Sequence, residues 1–470
     1  MKTKILSVVI ILISFTGTTT SCRHESAVSL EDYNRDSLVS VLDEYLKKGI
    51  LEVWYPLIID TVYGGYFSNL TSDLRLTDNQ PKMLVTQSRQ IWTSTQAAIF
   101  YDDTSYIKYA RHGVRFLMSR MWDKESGGFF NLRTRIGDSP GGATGDEKRA
   151  YGNAFAIYGL SAYYKLTGDT SALDYAKKAF LWLDEHSRDR KYGGYIDAMD
   201  RTGMWLSRVK QGTVQQGAQG GSWKDFNSSI HLLEAFSELY KVWPDPLVKE
   251  RLTEMLILVR DTFTNPKGYL TLNFTEDWKP VTNKDSSESV IRRRSGIDHV
   301  SFGHDIETGF LLLEASHSLG ILDDTTSLRI ARKLVDHTLK NGFDRKTGAL
   351  FDAGYYFPGR DTITILNKSA EWWVQSEGLN ALLLMTIIFP DEEKYFPAFL
   401  KLWNYVETYV IDKEHGEWYP RGLYYNPEAK NALKASIWKG NYHNGRTLMN
   451  CIRMLKGDYE LASHFLEIAQ

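Results

Sequence analysis

The chain has 470 residues, 43% of them hydrophobic and 24% charged, and a formal net charge of -2. That balance excludes long disordered stretches, a basic footprint for nucleic acid and a polybasic membrane patch, and it leaves a neutral small molecule as the favoured partner class. The 13 Trp, 27 Tyr and 21 Phe exceed what a core requires, and flat rings with polar edges suit sugar faces as well as helix packing.

Met1-Lys2-Thr3-Lys4 is basic, and Ile5 to Phe15 is an apolar stretch too short to span a bilayer with comfort. Thr18-Thr19-Thr20-Ser21 then leads to Cys22, an arrangement similar to a bacterial lipoprotein signal. Residues 1–21 are expected to be removed, Cys22 to be lipidated, residues 22–29 to form a tether, and residues 30–470 to fold as one domain. Thr19 stands where such signals usually carry Leu, so a plain secretory peptide is the alternative. Either reading exports the protein to the cell envelope, with any membrane contact made through the N-terminal anchor alone. Cys451 is the other cysteine, in the apolar run Leu448-Met-Asn-Cys-Ile-Arg-Met-Leu, and reads as a buried structural thiol. Neither zinc-type Cys/His spacing nor a phosphate-cradling Gly-Lys-Ser/Thr loop is present, so no metal and no cofactor is expected. The glycine-rich segment from Val209 to Gly221 reads as a flexible connection.

Six turns then punctuate the chain at intervals of about 63 to 80 residues. They are Asp60-Thr-Val-Tyr-Gly-Gly-Tyr-Phe, Asp123-Lys-Glu-Ser-Gly-Gly-Phe-Phe, Asp189-Arg-Lys-Tyr-Gly-Gly-Tyr-Ile, Asn265-Pro-Lys-Gly-Tyr-Leu, Asp344-Arg-Lys-Thr-Gly-Ala-Leu-Phe and Asp412-Lys-Glu-His-Gly-Glu-Trp-Tyr. Each interval holds two helices. The first is apolar on every side and must be buried; the second is amphipathic and covers it. Inner helices are expected from near Gln87, Lys148, Asp225, Phe302, Ala370 and Trp438. Outer helices are expected from near Ser29, Ser105, Ser171, Asp245, Thr326 and Phe396, with a short extra helix after Asp458. The predicted fold is all-α: an (α/α)6 barrel of six inner and six outer helices, with the Gly-aromatic segments as short turns or strands at one end. An open solenoid or two bundles are the alternatives, but neither end of the chain carries a polar capping repeat.

The residues least suited to an apolar inner helix fall near its start. In chain order they are Arg89, Tyr151, Asn227 with His231, His304 with Glu307, Trp372 with Trp373, and Trp438 with His443. Parallel inner helices would bring these starts to one mouth. Asn227 and His231 are four apart and His304 and Glu307 three apart, so each pair shares a helix face. A carboxylate beside an imidazole fixes its tautomer, and a guanidinium can hold a developing oxyanion. Three histidines, an arginine and a carboxylate without metal spacing point to proton transfer next to a carbonyl.

Gly303-His-Asp-Ile-Glu, Glu371-Trp-Trp and Trp438-x-x-x-Tyr-His-Asn-Gly-Arg resemble the N-acylglucosamine 2-epimerase superfamily, and among its members most resemble the cellobiose 2-epimerases. The resemblance runs from Gly64 to Tyr442 and beyond. It implies the same barrel and a metal-free reaction in which the sugar ring opens and C2 loses a proton to give an enediolate. A proton then returns to the other face. Carried over, His304 and His443 would be the acid/base pair, Glu307 would tune His304, and His231 and Arg89 would stabilise the enediolate. Trp372, Trp373 and Trp438 would contact the sugar rings, and Tyr151 and Asn227 the hydroxyls. Family members commonly carry Asn-x-His-x-His where this chain has Asn227-Ser-Ser229-Ile-His231, which puts substrate identity in question.

The leading expectation is a 2-epimerase acting on the reducing end of a β-linked disaccharide, with an aldose-ketose isomerase and an N-acylglucosamine 2-epimerase as rivals. A glycosidase would use two of Asp305, Glu307 and Glu371 and leave the histidines without roles. A non-catalytic glycan-binding lipoprotein is the remaining alternative, kept open by Ser229. Arg292-Arg-Arg reads as a solvated charge run.

Overall fold

The structure, a computed structural model, describes residues 29–142, 144–206 and 223–470. The export signal, Cys22 and the segment from Val209 to Gly221 lie outside the described residues. Six inner helices span Leu84–Tyr101, Ala150–Thr167, Phe226–Val242, Phe302–Ser318, Trp372–Ile388 and Tyr442–Lys456. Six outer helices span Arg35–Glu44, Ile107–Phe116, Thr170–His186, Pro246–Ile257, Thr325–Asn341 and Tyr395–Tyr409, and Glu460–Ala469 is the short extra helix.

Side-chain chemistry separates the layers. Every residue from Ala150 to Tyr163 in the second inner helix is buried, and such a helix is stable only between others. The outer helix after it, Thr170–His186, buries Leu173, Ala176, Phe180 and Leu183 along one stripe. Asp169 caps it by accepting from the Ser171 N–H at 3.0 Å. Asn34, Asp245 and Asp324 cap their helices the same way.

Each inner helix packs on the next, and Tyr442–Lys456 packs back on Leu84–Tyr101. The N-terminal helix Arg35–Glu44 covers the last inner helix rather than the first. Backbone bonds latch this junction: Leu70 N–H to Ala435 O at 3.2 Å, Lys434 N–H to Leu70 O at 2.9 Å, and Glu417 N–H to Gly49 O at 2.7 Å. The ring is therefore closed, not an open solenoid.

The repeated turns are built around their aspartates. Asp60, Asp123, Asp189 and Asp412 accept from backbone N–H groups of their own turns, and each also receives a buried lysine: Lys82, Lys148, Lys224 and Lys434 respectively. In the first three cases the lysine sits two residues ahead of an inner helix, so the pair clips the helix start to the preceding turn. Short antiparallel ladders add to this, as in Lys82–Met83 with Leu132–Arg133 and Lys148–Arg149 with Ala198–Met199.

Burial opposes ionisation of Asp412, but Lys434 and the turn N–H groups hold its carboxyl at about 2, against 3.8 in the unfolded chain. A depressed folded pKa gives stability that is intact above the unfolded value and lost as pH falls through the folded one. The barrel is expected to keep its helical circular dichroism down to about pH 4 and to lose it between there and about pH 2. Lys434→Met should lower stability by about 3–5 kcal/mol by leaving a buried carboxylate alone. Denaturant titrations of both proteins at pH 7 measure that difference.

A second device fixes the register of the inner helices. At the fourth residue of the first, second and fifth, Gln87, Asn153 and Gln375 accept from the turn N–H groups of Tyr66, Phe129 and Leu350, each at 2.8 Å, and donate back to the carbonyls of the same residues. Asp305, fourth in its helix, accepts from the Leu270 N–H at 3.0 Å. Gly65 in the first turn has φ 66°, and a Cβ there would lie 2.6 Å from Gln87 Oε1, so only glycine lets the clamp close.

Candidate active site

A side chain at the fourth helical position points outward to its turn, so the second and sixth positions, each about 200° round, face the barrel axis. That register places the unusual residues. Tyr151, Asn227, Trp373 and His443 are second in their helices, and Arg89, His231 and Glu307 are sixth. All ten side chains put forward from the sequence, these seven with His304, Trp372 and Trp438, line one cavity of about 180 Å³ at the N-terminal ends of the inner helices.

Gly303 is second in the fourth inner helix, where a Cβ would lie 2.4 Å from the Trp373 ring. Its bare backbone lets the indole reach both imidazoles, with ring centroids 4.9 Å from His304 and 5.9 Å from His443. His304 Nδ1 hydrogen-bonds Ser301 Oγ at 2.8 Å. His443 Nδ1 lies 2.7 Å from Glu377 Oε1; a carboxylate only accepts, so the ring proton sits on Nδ1 and Nε2 is left as a base. Burial, then the neighbouring His231, His299 and His443, bring the His304 imidazole down to about 3. Burial and Arg89 take His443 well below its usual value, against the pull of Glu307. Both rings are thus neutral near pH 7 and able to accept a proton.

His231 Nδ1 lies 2.9 Å from Glu234 Oε2, and its ring packs against Tyr151 and Phe155. Arg89 donates to the Tyr151 hydroxyl at 3.2 Å and lies over the Phe155 ring. The Arg89 Nε–H and Trp372 Nε1–H are buried without an acceptor among the described residues, which suits a ligand rich in oxygen. Trp438 is 53% exposed and forms the outer lip of the cavity.

Three expectations are corrected. Glu307 does not hold His304: its Oε1 accepts from Arg446 Nη2 at 2.9 Å, and its charge acts on His443. Asp305 is the outward clamp residue, so burial raises its carboxyl well above the usual range. Glu371 accepts from Ser369 Oγ at 2.7 Å, and neither Asp305 nor Glu371 lines the cavity. The carboxylate pair a glycosidase requires is thus missing from this wall among the described residues. Ser229 also occupies the outward fourth position, where its Oγ donates to Asp225 O at 2.8 Å, so the Ser-for-His change lies off the cavity wall.

Sequence reading missed the floor. Arg446 is 2% exposed and donates to Glu234, to Glu307 at 2.9 Å, to Glu377 at 2.8 Å and to the Tyr442 hydroxyl at 2.7 Å. Burial works against the charge on Glu234, but Arg446 and His231 hold its carboxyl at about 2. The available signal was a carboxylate inside an otherwise buried inner helix: Glu234 in Leu-Leu-Glu-Ala, and Glu377 ahead of the apolar Leu379 to Ile388 stretch. Glu307, Glu377 and His443 bring possible metal-ligating atoms within 4.8 Å of one another, but Arg446 donates to both carboxylates and takes the place a cation would have.

Comparison with known proteins bears on the family and the fold. The chain is 27% identical over 434 residues to the cellobiose 2-epimerase of Bacteroides fragilis, covering 88% of this chain and all of that one. It is 26% identical over 424 residues to the D-mannose isomerase of Marinomonas mediterranea, covering 88% of this chain and 96% of the relative. The structure of cellobiose 2-epimerase from Spirochaeta thermophila superposes with a TM-score of 0.76 at 28% identity, over 90% of this chain and 98% of that one, in agreement with the (α/α)6 barrel. The family model for N-acylglucosamine 2-epimerase (GlcNAc 2-epimerase) matches residues 65–444, which include every inner-helix start that builds the cavity. By that match, and in keeping with its fold, the chain belongs to the N-acylglucosamine 2-epimerase family.

Proposed function

We propose that this carbohydrate epimerase inverts C2 of the reducing-end residue of a disaccharide of the cellobiose or mannobiose type, through an enediolate. The observation that carries the reading is the pair of imidazoles, His304 and His443, both packed against the Trp373 indole in one cavity. One imidazole takes the C2 proton while the C2–H electron pair moves into the C1–C2 bond and the carbonyl electrons move onto O1. The other, which takes up a proton from solvent as the sugar binds, delivers it to the opposite face of C2; the carbonyl re-forms, the configuration is inverted, and the first imidazole returns its proton to solvent. Arg89 and His231 stabilise the oxyanion, and Glu377 keeps the His443 tautomer fixed through the cycle. Trp438, exposed at the lip, gives a second sugar ring a face to stack on.

An aldose-ketose isomerase shares the first half of this cycle and returns the proton to C1. The likeness to the D-mannose isomerase supports keeping that reading. Proton NMR of the mature protein in D2O with cellobiose, mannobiose, glucose, mannose and N-acetylglucosamine separates them. Deuterium at C2 with the C2 epimer of a disaccharide is the expected result. Ketose accumulation would replace it with the isomerase, and activity confined to the N-acetylated sugar would make it an N-acylglucosamine 2-epimerase. No exchange in any sugar would remove the epimerase reading for these substrates.

A further inference from the structure

Beneath Arg446, towards the C-terminal ends of the inner helices, lies a second cavity of about 180 Å³. Trp92, Lys165, Lys241, Arg446, Arg453 and Tyr459 are among its walls. Two buried donors there have no acceptor among the described residues: Trp92 Nε1–H and Arg446 Nε–H. Trp92 is 7% exposed and Arg446 2%, so bulk water does not satisfy them.

The charges sort themselves by pairing. Lys241 is paired with both Glu238 and Glu314, each 3.2 Å from its Nζ, which leaves one carboxylate charge in excess. Lys165 and Arg453 have no carboxylate partner among the described residues, and the Arg453 guanidinium lies 5.3 Å from the Phe100 ring centroid. The wall therefore offers two unsatisfied N–H donors and two cations without an ion-pair partner, the half-buried Arg453 and the exposed Lys165, while both of its carboxylates are engaged by Lys241.

We propose that this cavity is a second binding site, specific for a small oxyanion such as a phosphate, sulfate or carboxylate group. Its oxygens accept from the Trp92 and Arg446 N–H groups, and Lys165 and Arg453 supply the opposite charge. A neutral polyol would satisfy the donors and leave both cations without a partner. Arg446 also donates to Glu307 and Glu377 on the reaction side, so an anion bound here shares a guanidinium with the residues that orient His443. Occupancy at one end of the barrel is thereby coupled to the charge state of the other.

Isothermal titration calorimetry of the mature protein with inorganic phosphate, at ionic strength matched with chloride, tests the site without reference to catalysis. One-to-one binding is expected, weakened at least tenfold in Lys165→Gln/Arg453→Gln. Trp92→Phe, which keeps an aromatic ring and removes the donor, is expected to weaken it by about tenfold. The double variant should retain wild-type circular dichroism and turnover, because neither residue touches the reaction cavity. Absence of binding heat, or an affinity unchanged in both variants, overturns the proposal, as does equal binding of uncharged glucose at the same wall.

Discussion

Substituting His443 with Asn is expected to reduce kcat/KM for C2 inversion by about 10³–10⁴ while leaving sugar affinity within a few fold. The asparagine amide can still donate to Glu377, so the wall of the cavity survives, but it has no basic nitrogen to exchange a proton with C2. A two-base cycle adds a finer expectation. His304 still faces one side of C2, so deuterium wash-in should persist for the one epimer whose C2 proton points at His304 and vanish for the other. Quenched-flow NMR in D2O from each epimer in turn gives both numbers. Undiminished inversion in His443→Asn would remove the proposed chemistry. Equal, undiminished exchange from both epimers would instead make His304 the only base. The reciprocal pattern is expected of His304→Asn.

Replacing Arg446 with Met is expected to destabilise the barrel by about 3–5 kcal/mol, read as a lower denaturation midpoint in urea. The guanidinium stands among Glu234, Glu307 and Glu377 with its own charge fully desolvated. Methionine fills much of the same volume and leaves three buried carboxylates without their cation. The most affordable response for the protein is to protonate one of them, and Glu377, whose carboxyl burial already raises, is the first to do so. His443 would then lose its anionic acceptor and its fixed tautomer, so turnover should fall along with stability. Arg446→Lys separates the two effects. A lysine restores one charge at one point but cannot fork between Glu307 and Glu377, so it should recover more stability than turnover. Stability unchanged in Arg446→Met would mean the three glutamates are held by something other than this ion cluster.

The glycosidase alternative illustrates how a one-dimensional pattern misleads. Asp305 and Glu307 are two residues apart, and sequence alone cannot say which of them faces the axis. The hydrogen bond from the Leu270 N–H settles it, because the fourth helical position belongs to the turn clamp. Ser229 stands in the same register and drops out of the cavity for the same reason. Spacing of three on one helix pairs Glu307 with His304; in the folded chain its nearest obligations are to Arg446 and His443, which come from the last inner helix.

What the sequence determined by itself is whatever depends on local pattern. The period of the turns, the apolar inner helices, the one-sided outer helices, the (α/α)6 count and the ten cavity residues could all be read because each is a property of a short stretch and of its helical face. What only the tertiary structure decided is who meets whom across the ring. His443 meets Glu377 from 66 residues away and Arg446 meets Glu234 from 212 residues away. The helix Arg35–Glu44 closes the barrel against the last inner helix. A buried charge must find an opposite charge, but many arrangements of neighbouring helices satisfy that demand, and the packing of the closed ring selects one.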